Sequence, residues 1–482
     1  MALDLQSIKQ RFEKANQGHV FAFYDTLDQE QQQSLLKQLN DIDVDSVNDL
    51  YKRAITGSTS QGAADIQPLP KDAFDSVLSA PSDKKSTWWN KGIELIGQNK
   101  VAVLLLAGGQ GTRLGSSDPK GCYDIGLPSK KSLFQLQAER IIRLQELAQG
   151  KAQGKKVIIT WYIMTSGPTR SATEAFFVRN NYFGLNSNDV IFFNQGVLPC
   201  LTNEGKIILE DKSKVAVAPD GNGGIYPALR KEGIINHMVK RGVEYIHSYC
   251  VDNCLVRVAD PAFIGYSVLN NAECGAKVVP KAHPNEAVGV ICVKDNKFSV
   301  VEYSEITNEM AERIDDNGNL VFGAGNICNH FYSIGFLQRM KEIEDKLEYH
   351  IARKKIKFID LKTGEKVSPS KPNGMKLEAF VFDVFPFTSS FSVLEVDRKE
   401  EFSPLKNAPG SGSDCPETSR QDIISQHVRF VEAAGGKVEG DVNAIDFEIS
   451  PLVTYAGEGL EIVNGKVLKP AYINDLEKLK SL

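Results

Sequence analysis

No apolar run in this sequence approaches the ~20 residues that a helix needs to cross a bilayer, and no stretch gathers charge of one sign. The first absence excludes a helical membrane protein. The second excludes a basic field for nucleic acid and a bare acidic tail alike. Cysteine is sparse and scattered: Cys122, Cys200, Cys250, Cys254, Cys274, Cys292, Cys328 and Cys415 match neither a zinc spacing nor a disulfide framework. Cys250 and Cys254 flank Val-Asp-Asn but lack a second ligand pair, so reduced thiols are expected. The opening run MALDLQSIKQRFEKA carries charges where a signal peptide needs apolar residues, and a cytoplasmic protein is expected. No internal repeat is visible.

What is there is ordinary soluble material: 42% hydrophobic and 24% charged residues, with a net charge of −5 over 482 residues. That length predicts about two or three domains. Residues 1 to about 55 read as helices, with Leu5, Ile8 and Phe12 on one face and Leu35, Leu36, Leu39 and Ile42 on another. Asp28 followed by Gln31 suits a helix start. Residues 56–86, rich in Ser, Gly, Pro and Asp, read as a connecting segment. From about 97 to 385 strands alternate with helices. Strands are predicted at 101–106, 157–164, 190–193, 243–250 and 276–279, and helices at 133–147 and 169–179, the first capped by Ser132 with Gln135. Such alternation predicts an α/β fold with a mostly parallel sheet covered on both faces. VICVKDNKFSVVEYSEI predicts an antiparallel hairpin turning near Asp295-Asn296. After about 390 the chain turns Gly-rich and reads as β-rich, with GSGSD at 410–414 as a flexible break. The expected division is an N-terminal helical region and linker (1–96), a catalytic core (97–389) and a C-terminal β-rich part (390–482).

The chemistry is concentrated where a seven-residue apolar run, Val101–Ala107, meets Gly108-Gly109-Gln110-Gly111-Thr112-Arg113-Leu114, and then Pro119-Lys120. A Walker loop needs Gly, four residues and Gly-Lys-Ser/Thr, which is absent here. A dinucleotide loop needs a third glycine where Leu114 stands, and Pro119 argues against a long helix opening at this point. What remains is bare backbone able to turn its N–H groups toward phosphate oxygens, with Arg113 and Lys120 as cations on either side.

These residues resemble the nucleotide-binding signature of sugar-nucleotide pyrophosphorylases. The further runs PKGCYDIGLPS, WYIMTSGPT, PDGNGG, YCVDN, EYSEI, NGMKLEAFVFD, EFSPLKN and YAGEGLE are similar, in order, to eukaryotic UDP-N-acetylglucosamine pyrophosphorylases. The resemblance covers nearly everything after residue 97. It implies a Rossmann-like, mixed but mostly parallel nucleotidyltransferase core of the GT-A type. It implies UTP and N-acetylglucosamine 1-phosphate as substrates, UDP-N-acetylglucosamine and diphosphate as products, and Mg²⁺ or Mn²⁺ as cofactor.

A phosphate monoester, with its second pKa near 6, is mostly dianionic at neutral pH, so the attacking oxygen needs no general base. The difficulty is repulsion between two polyanions, roughly 4 kcal/mol per like-charge pair at ~4 Å and an effective dielectric of ~20. Cations, backbone amides and a metal-binding carboxylate are therefore expected, without a catalytic histidine. Asp252 stands at the carboxyl end of an expected strand, where open α/β sheets bind ligands. Read alone it serves equally as a metal ligand or a turn cap; the resemblance implies the metal, with Asp383 as a second ligand. For UTP the resemblance implies Leu106, Ala107, Gly108, Gly109, Lys120, Gln195, Gly221, Asp252 and Lys376, with Arg113, Lys120 and Lys376 as the catalytic cations. For the sugar phosphate it implies Asn222, Gly289, Glu302, Tyr303, Asn326, Phe380, Phe382 and Lys406. Phe380 and Phe382 would share a face if their segment is a strand and diverge if it is a helix. Pro227 departs from the family, which more often carries a basic residue there. The competing readings are a UDP-glucose or broad UDP-sugar pyrophosphorylase, and a non-catalytic regulatory subunit on the same fold. A Rossmann oxidoreductase ranks below both because its loop spacing is missing.

Overall fold

The computed structural model describes residues 4–59, 65–303 and 305–481. They form two compact units, each assembled from three stretches of chain. The smaller is built from Met1–Ala64, Gln195–Ala228 and Glu342–Val384, the larger from Asp65–Asn194, Leu229–Lys341 and Phe385–Leu482. The consecutive blocks 1–96, 97–389 and 390–482 cut across both, because strands distant in sequence pair to make each unit.

The larger unit carries an eleven-stranded sheet: β1 Ile66–Gln67, β2 Phe74–Ser76, β3 Val101–Leu106, β4 Thr160–Thr165, β5 Val190–Asn194, β6 Tyr245–Cys250, β7 Cys274–Pro280, β8 Val290–Lys294, β9 Lys297–Val301, β10 Ala324–Ser333 and β11 Phe391–Glu395. The main path runs β2-β11-β7-β10-β6-β3-β4-β5. Along it only β10 runs antiparallel to its neighbours β6 and β7; every other pairing is parallel. All six residues of β3 are buried, as are all six of β4. Burial on both faces explains why such strands read as unbroken apolar runs. β8 and β9 form the expected hairpin, turning through Asp295 and Asn296 with φ of 50° and 62°, the positive pair that a type I′ turn requires.

Helices were legible from their caps. In the larger unit, helix Leu133–Ala148 starts where Ser132 accepts a bond from the Gln135 N–H at 3.2 Å. Its Phe134, Ala138 and Ile141 join Val101, Val103, Leu105, Trp161 and Phe177 in one core. In the smaller unit, Asp28 and Gln31 close a reciprocal capping box at the start of helix Gln29–Asp41.

Two expectations need correction. Residues 56–86 are more than a connector, although 60–64 lie outside the described residues. They supply β1, β2 and the start of helix Ser82–Gly97, because the alternating apolar residues among the prolines add strands to the sheet. Beyond β11 the C-terminal part is not β-rich: its largest element is the 18-residue helix Pro416–Ala433, and its other strands are two residues each. The glycines mark turns rather than strands. GSGSD closes a loop in which the Lys406 and Asn407 N–H groups both donate to the Asp414 carbonyl at 2.8 Å.

Below the sheet's carboxyl edge, the fully buried Lys277 ammonium pairs with both Asp260 and Glu401. Removing one partner from such a cluster strands a charge in a medium that cannot solvate it, a cost of about 3–5 kcal/mol.

In the smaller unit the N-terminal helices are not a free extension. Ile8, Phe12, Leu35, Leu39 and Val44 share a core with Leu201, Ile207, Leu209, Met375 and Leu377. There the strand Gly374–Glu378 lies between His350–Lys354 and Leu201–Thr202, antiparallel to each.

Three histidines of the larger unit are buried and held neutral. Burial, with Lys277 nearby, lowers His247 to about 4. Burial, with His247 nearby, lowers His330 to about 3. Burial, with Arg140, Lys131 and Arg429 nearby, lowers His427 to about 3. Unfolded histidine takes up its proton near pH 6.5, so between there and about 4 the unfolded state binds more protons and stability falls as pH falls. The expected loss is about 1.4 kcal/mol per group per pH unit. Urea midpoints at pH 7 and pH 5.5 measure it, and equal midpoints would contradict it.

Candidate active site

In the larger unit the glycine loop leaves the end of β3, between β4 and β6. Leu106 and Ala107 are buried, Gly108 half-buried and Gly109 exposed. The Ala107 N–H donates to the Met164 carbonyl at 2.9 Å, and Ser166 Oγ donates to the Gly108 carbonyl at 2.7 Å. The loop closes on itself: the Gly111 N–H donates to the Asp118 carbonyl at 2.9 Å and the Lys120 N–H to that of Gly109 at 3.2 Å. Gly121 is required by close approach, since a Cβ there would lie 2.2 Å from the Phe134 ring. Lys120 is thus pinned on both sides by backbone, while Arg113 is exposed on the short turn Thr112–Leu114.

Asp252 follows β6 by two residues, at the carboxyl edge as expected. Its Oδ2 is 3.5 Å from Lys120 Nζ, which donates to the Leu405 carbonyl at 3.0 Å. The Leu405 N–H donates to the Asp252 carbonyl at 2.8 Å. Next to it, Asn253 Nδ2 donates to the Glu401 carbonyl at 2.7 Å, while its Oδ1 accepts from the Ser403 N–H at 3.0 Å. The 401–405 segment therefore clasps both candidate phosphate-site residues, and the exposed Lys406 follows directly. An ammonium has three donors, so Lys120 retains capacity for a phosphate oxygen.

The same unit brings three of the four expected sugar residues from this region together. The Asn326 N–H donates to the Gly289 carbonyl at 2.8 Å, and a Cβ on Gly289 would lie 3.3 Å from a Glu302 carboxylate oxygen. Tyr303, next to Glu302 in the chain, is 55% exposed. Cys122, beside Lys120, is an unpromising nucleophile: burial and Asp118 push its thiol up to about 12.

The remaining expected residues belong to the smaller unit. The Gln195 amide donates to the Gly221 carbonyl. Gly221 has φ of 88°, and a Cβ on it would meet the Ala379 carbonyl oxygen at 2.2 Å. The PDGNGG turn is zipped to the next segment: the Gly223 N–H donates to the Ala379 carbonyl and the Ala379 N–H to that of Asp220, each at 2.8 Å. Asn222 Oδ1 accepts from the Val381 N–H at 2.9 Å. Pro227 is the third residue of helix Ile225–Lys231, where no intrahelical N–H is needed. Lys376 lies on the strand Gly374–Glu378, opposite Ala352.

The FVFD run is neither strand nor helix but a turn. Phe380 and Phe382 pack against each other with centroids 5.2 Å apart. Asp383, expected as a second metal ligand, is engaged locally. Its Oδ2 accepts from the Phe380 N–H at 2.6 Å and stands 3.1 Å from His350 Nε2. His350 stacks on Phe380 at 4.3 Å. Sequence reasoning missed this histidine, whose partners lie about thirty residues away. It also missed Ser166 on Gly108, which its own Ser-x-x-Thr cap could have revealed.

A glycine loop, a lysine and a lone carboxylate at the carboxyl edge of a mostly parallel sheet define an α/β protein of the nucleotidyltransferase class. The UTP–glucose-1-phosphate uridylyltransferase family matches residues 44–432, and the chain belongs to it. It is 45% identical over 471 residues to the UDP-N-acetylglucosamine pyrophosphorylase of Saccharomyces cerevisiae, covering 95% of this chain and 97% of that one. It is 46% identical over 501 residues to the UDP-N-acetylhexosamine pyrophosphorylase-like protein 1 of Mus musculus, covering 99% and 98%. The crystal structure of the uridine diphosphate N-acetylglucosamine pyrophosphorylase from Trypanosoma brucei, in complex with an inhibitor, aligns with a TM-score of 0.83 at 33% identity, covering 97% and 98%.

Gly221→Ala should strain the backbone and push the turn from Ala379, lowering stability by about 1–3 kcal/mol. A denaturant midpoint matching the unsubstituted protein would show that the zip is dispensable.

Proposed function

We infer that the chain joins UTP and N-acetyl-α-D-glucosamine 1-phosphate, releasing diphosphate and UDP-N-acetylglucosamine. The observation that carries this is the Lys120–Asp252 pair beneath the glycine loop, together with the Gly289–Glu302–Asn326 cluster in the same unit. A phosphate oxygen of the sugar phosphate attacks the α-phosphorus of UTP. The bond from that phosphorus to the bridging oxygen breaks, and diphosphate leaves with the electron pair. Lys120 and Arg113 offset the charge, and the loop N–H groups hold the oxygens without having to reorganise. The Glu302 carboxylate can accept bonds from two sugar hydroxyls, and Asn326 adds an amide. By the resemblance, Gln195 and Gly221 are assigned to the uracil, Lys376 to the nucleotide phosphates, Asn222 to the sugar hydroxyls or the N-acetyl group, and Phe380 and Phe382 to the acetyl group.

Among the described residues no three His, Cys, Asp or Glu are grouped to cage a cation. Mg²⁺ keeps several waters and is usually held by one or two carboxylates plus substrate phosphates. Asp252, a quarter exposed beside Lys120, is the residue that would hold it. When bound, Mg²⁺ or Mn²⁺ supplies charge neutralisation on the nucleotide phosphates. No helix among the described residues is long and apolar enough to cross a membrane, and the reading places the protein in the cytoplasm.

The test is diphosphate release from UTP and Mg²⁺ with N-acetylglucosamine 1-phosphate, its galacto isomer or glucose 1-phosphate. Release with the acetylated sugars is expected; release chiefly with glucose 1-phosphate would overturn the sugar assignment. Lys120→Ala and Asp252→Ala should fold and yet lose turnover by about 100-fold or more. Unchanged rates from either folded variant would refute its role.

A further inference from the structure

Asn326, the amide of the sugar cluster, sits where β10 breaks its register. Against β7, Lys277 faces Asn329 but the next residue, Val278, faces Asn326, so Ile327 and Cys328 are extra. Cys328 takes a φ of 51°, in the left-handed region. Such a bulge shortens a strand locally and re-aims the side chain beside it. In a regular strand, residues four apart are separated by about 13 Å, yet Asn326 Oδ1 and His330 Nε2 lie 3.3 Å apart. The bulge therefore joins the amide at the site to an imidazole from the paired part of the strand, opposite Ser248 and Ala276.

The direction of each bond follows from the one partner that has no choice. A backbone N–H can only donate, and that of Cys328 faces the Asn326 side chain at 3.0 Å, so the atom there is the amide oxygen. The same oxygen faces His330 Nε2, so that nitrogen carries the hydrogen. Burial holds the ring neutral, and a neutral imidazole has a single N–H. Nδ1 is thus bare, and it accepts from the Tyr332 hydroxyl at 3.2 Å. Phe385 packs edge-to-face on the ring with centroids 4.9 Å apart, and His330 and Tyr332 are both buried. The Asn326 Nδ2 donates to the Cys328 sulfur at 3.8 Å, a weak acceptor, which leaves its second N–H for a ligand.

We propose that His330 is a positioning residue, and that the Tyr332–His330–Asn326 chain holds the Asn326 amide as a hydrogen-bond donor to an acceptor oxygen of the sugar phosphate. The opposite orientation would set the amide N–H groups against the Cys328 N–H and offer the sugar an oxygen instead. His330 keeps its proton throughout and touches no reacting atom. Its effect falls on sugar-phosphate binding, because Asn326 is not among the groups that offset charge at the α-phosphorus. That the ligand is a sugar phosphate rests on the function proposed above; the chain of bonds does not.

The experiment pairs two readouts on the full chain. Nitrogen-15 spectra of histidine-labelled protein, with the His330 signals identified by their loss in His330→Gln, report which ring nitrogen is protonated. The neutral Nε2–H form is expected at pH 7, and the Nδ1–H form or an imidazolium would overturn the proposal. In diphosphate release, His330→Phe should raise the KM for N-acetylglucosamine 1-phosphate by about 10-fold, the worth of one hydrogen bond, with kcat and the KM for UTP unchanged. His330→Gln, whose amide can donate to the same oxygen, should recover most of that loss, which filling space alone would not explain. Added to Asn326→Ala, His330→Phe should raise the sugar KM no further, because residues in one hydrogen-bond network are not additive. Additive losses, or a lower kcat at an unchanged sugar KM, would overturn the positioning role. The tautomer is read on the unsubstituted chain, so it decides the chain of bonds even where His330→Phe does not fold. Absence of diphosphate release from the unsubstituted chain with any of the sugar phosphates would instead refute the proposed function.

Discussion

The larger unit's chemistry depends on one buried contact, the Lys277 ammonium between Asp260 and Glu401. Glu401 opens the segment that reaches Asn253, Asp252 and Lys120 in succession through its own backbone and that of Ser403 and Leu405. A charge fully removed from water tolerates little displacement of its partners, so the segment is fixed at its base. Its upper end can therefore hold a lysine and an aspartate 3.5 Å apart on loops that would otherwise wander. Preorganisation of this kind matters for a reaction whose barrier is electrostatic, because donors already in place need not be reoriented as charge develops.

The sheet decides where that arrangement can sit. β3 and β4 are buried on both faces, so bare backbone is available only at their ends. The parallel set aligns the carboxyl ends of β3, β4 and β6, and the loops that follow them carry Gly108, Ser166 and Asp252. β10 contributes differently: running antiparallel to β6, it brings its irregular start, with Asn326 and Cys328, to that same edge.

Much of this was legible in the chain, and the division follows the range of the signal. β3 was read to the residue because a strand buried on both faces leaves an unbroken apolar run. The caps at Asp28 and Ser132 and the Asp295-Asn296 turn were legible because each is a bond or dihedral pattern within four residues. The FVFD run was not, because a four-residue turn held by Asp383 carries no period. The Lys277 cluster and the Asp383–His350 contact were invisible for another reason: their partners lie 17 to 124 residues apart in sequence. The domain blocks failed in the same way, since composition is linear and compactness is not. At the site, the resemblance named Lys120, Asp252, Gly289, Glu302 and Asn326, and spatial grouping appeared only once the sheet was assembled.

The interleaving of the two units has a consequence for how this protein can be taken apart or lengthened. The chain changes unit after residues 64, 194, 228, 341 and 384, so no single cut isolates either one as a contiguous fragment. Each unit must close long intervening loops before its core is complete, although loop entropy rises only slowly with length, by about 0.6 kcal/mol per doubling. An ancestor could therefore have acquired the smaller unit piecemeal, by growth of existing connections, at modest thermodynamic expense. The result is a pair of modules that no single truncation can separate.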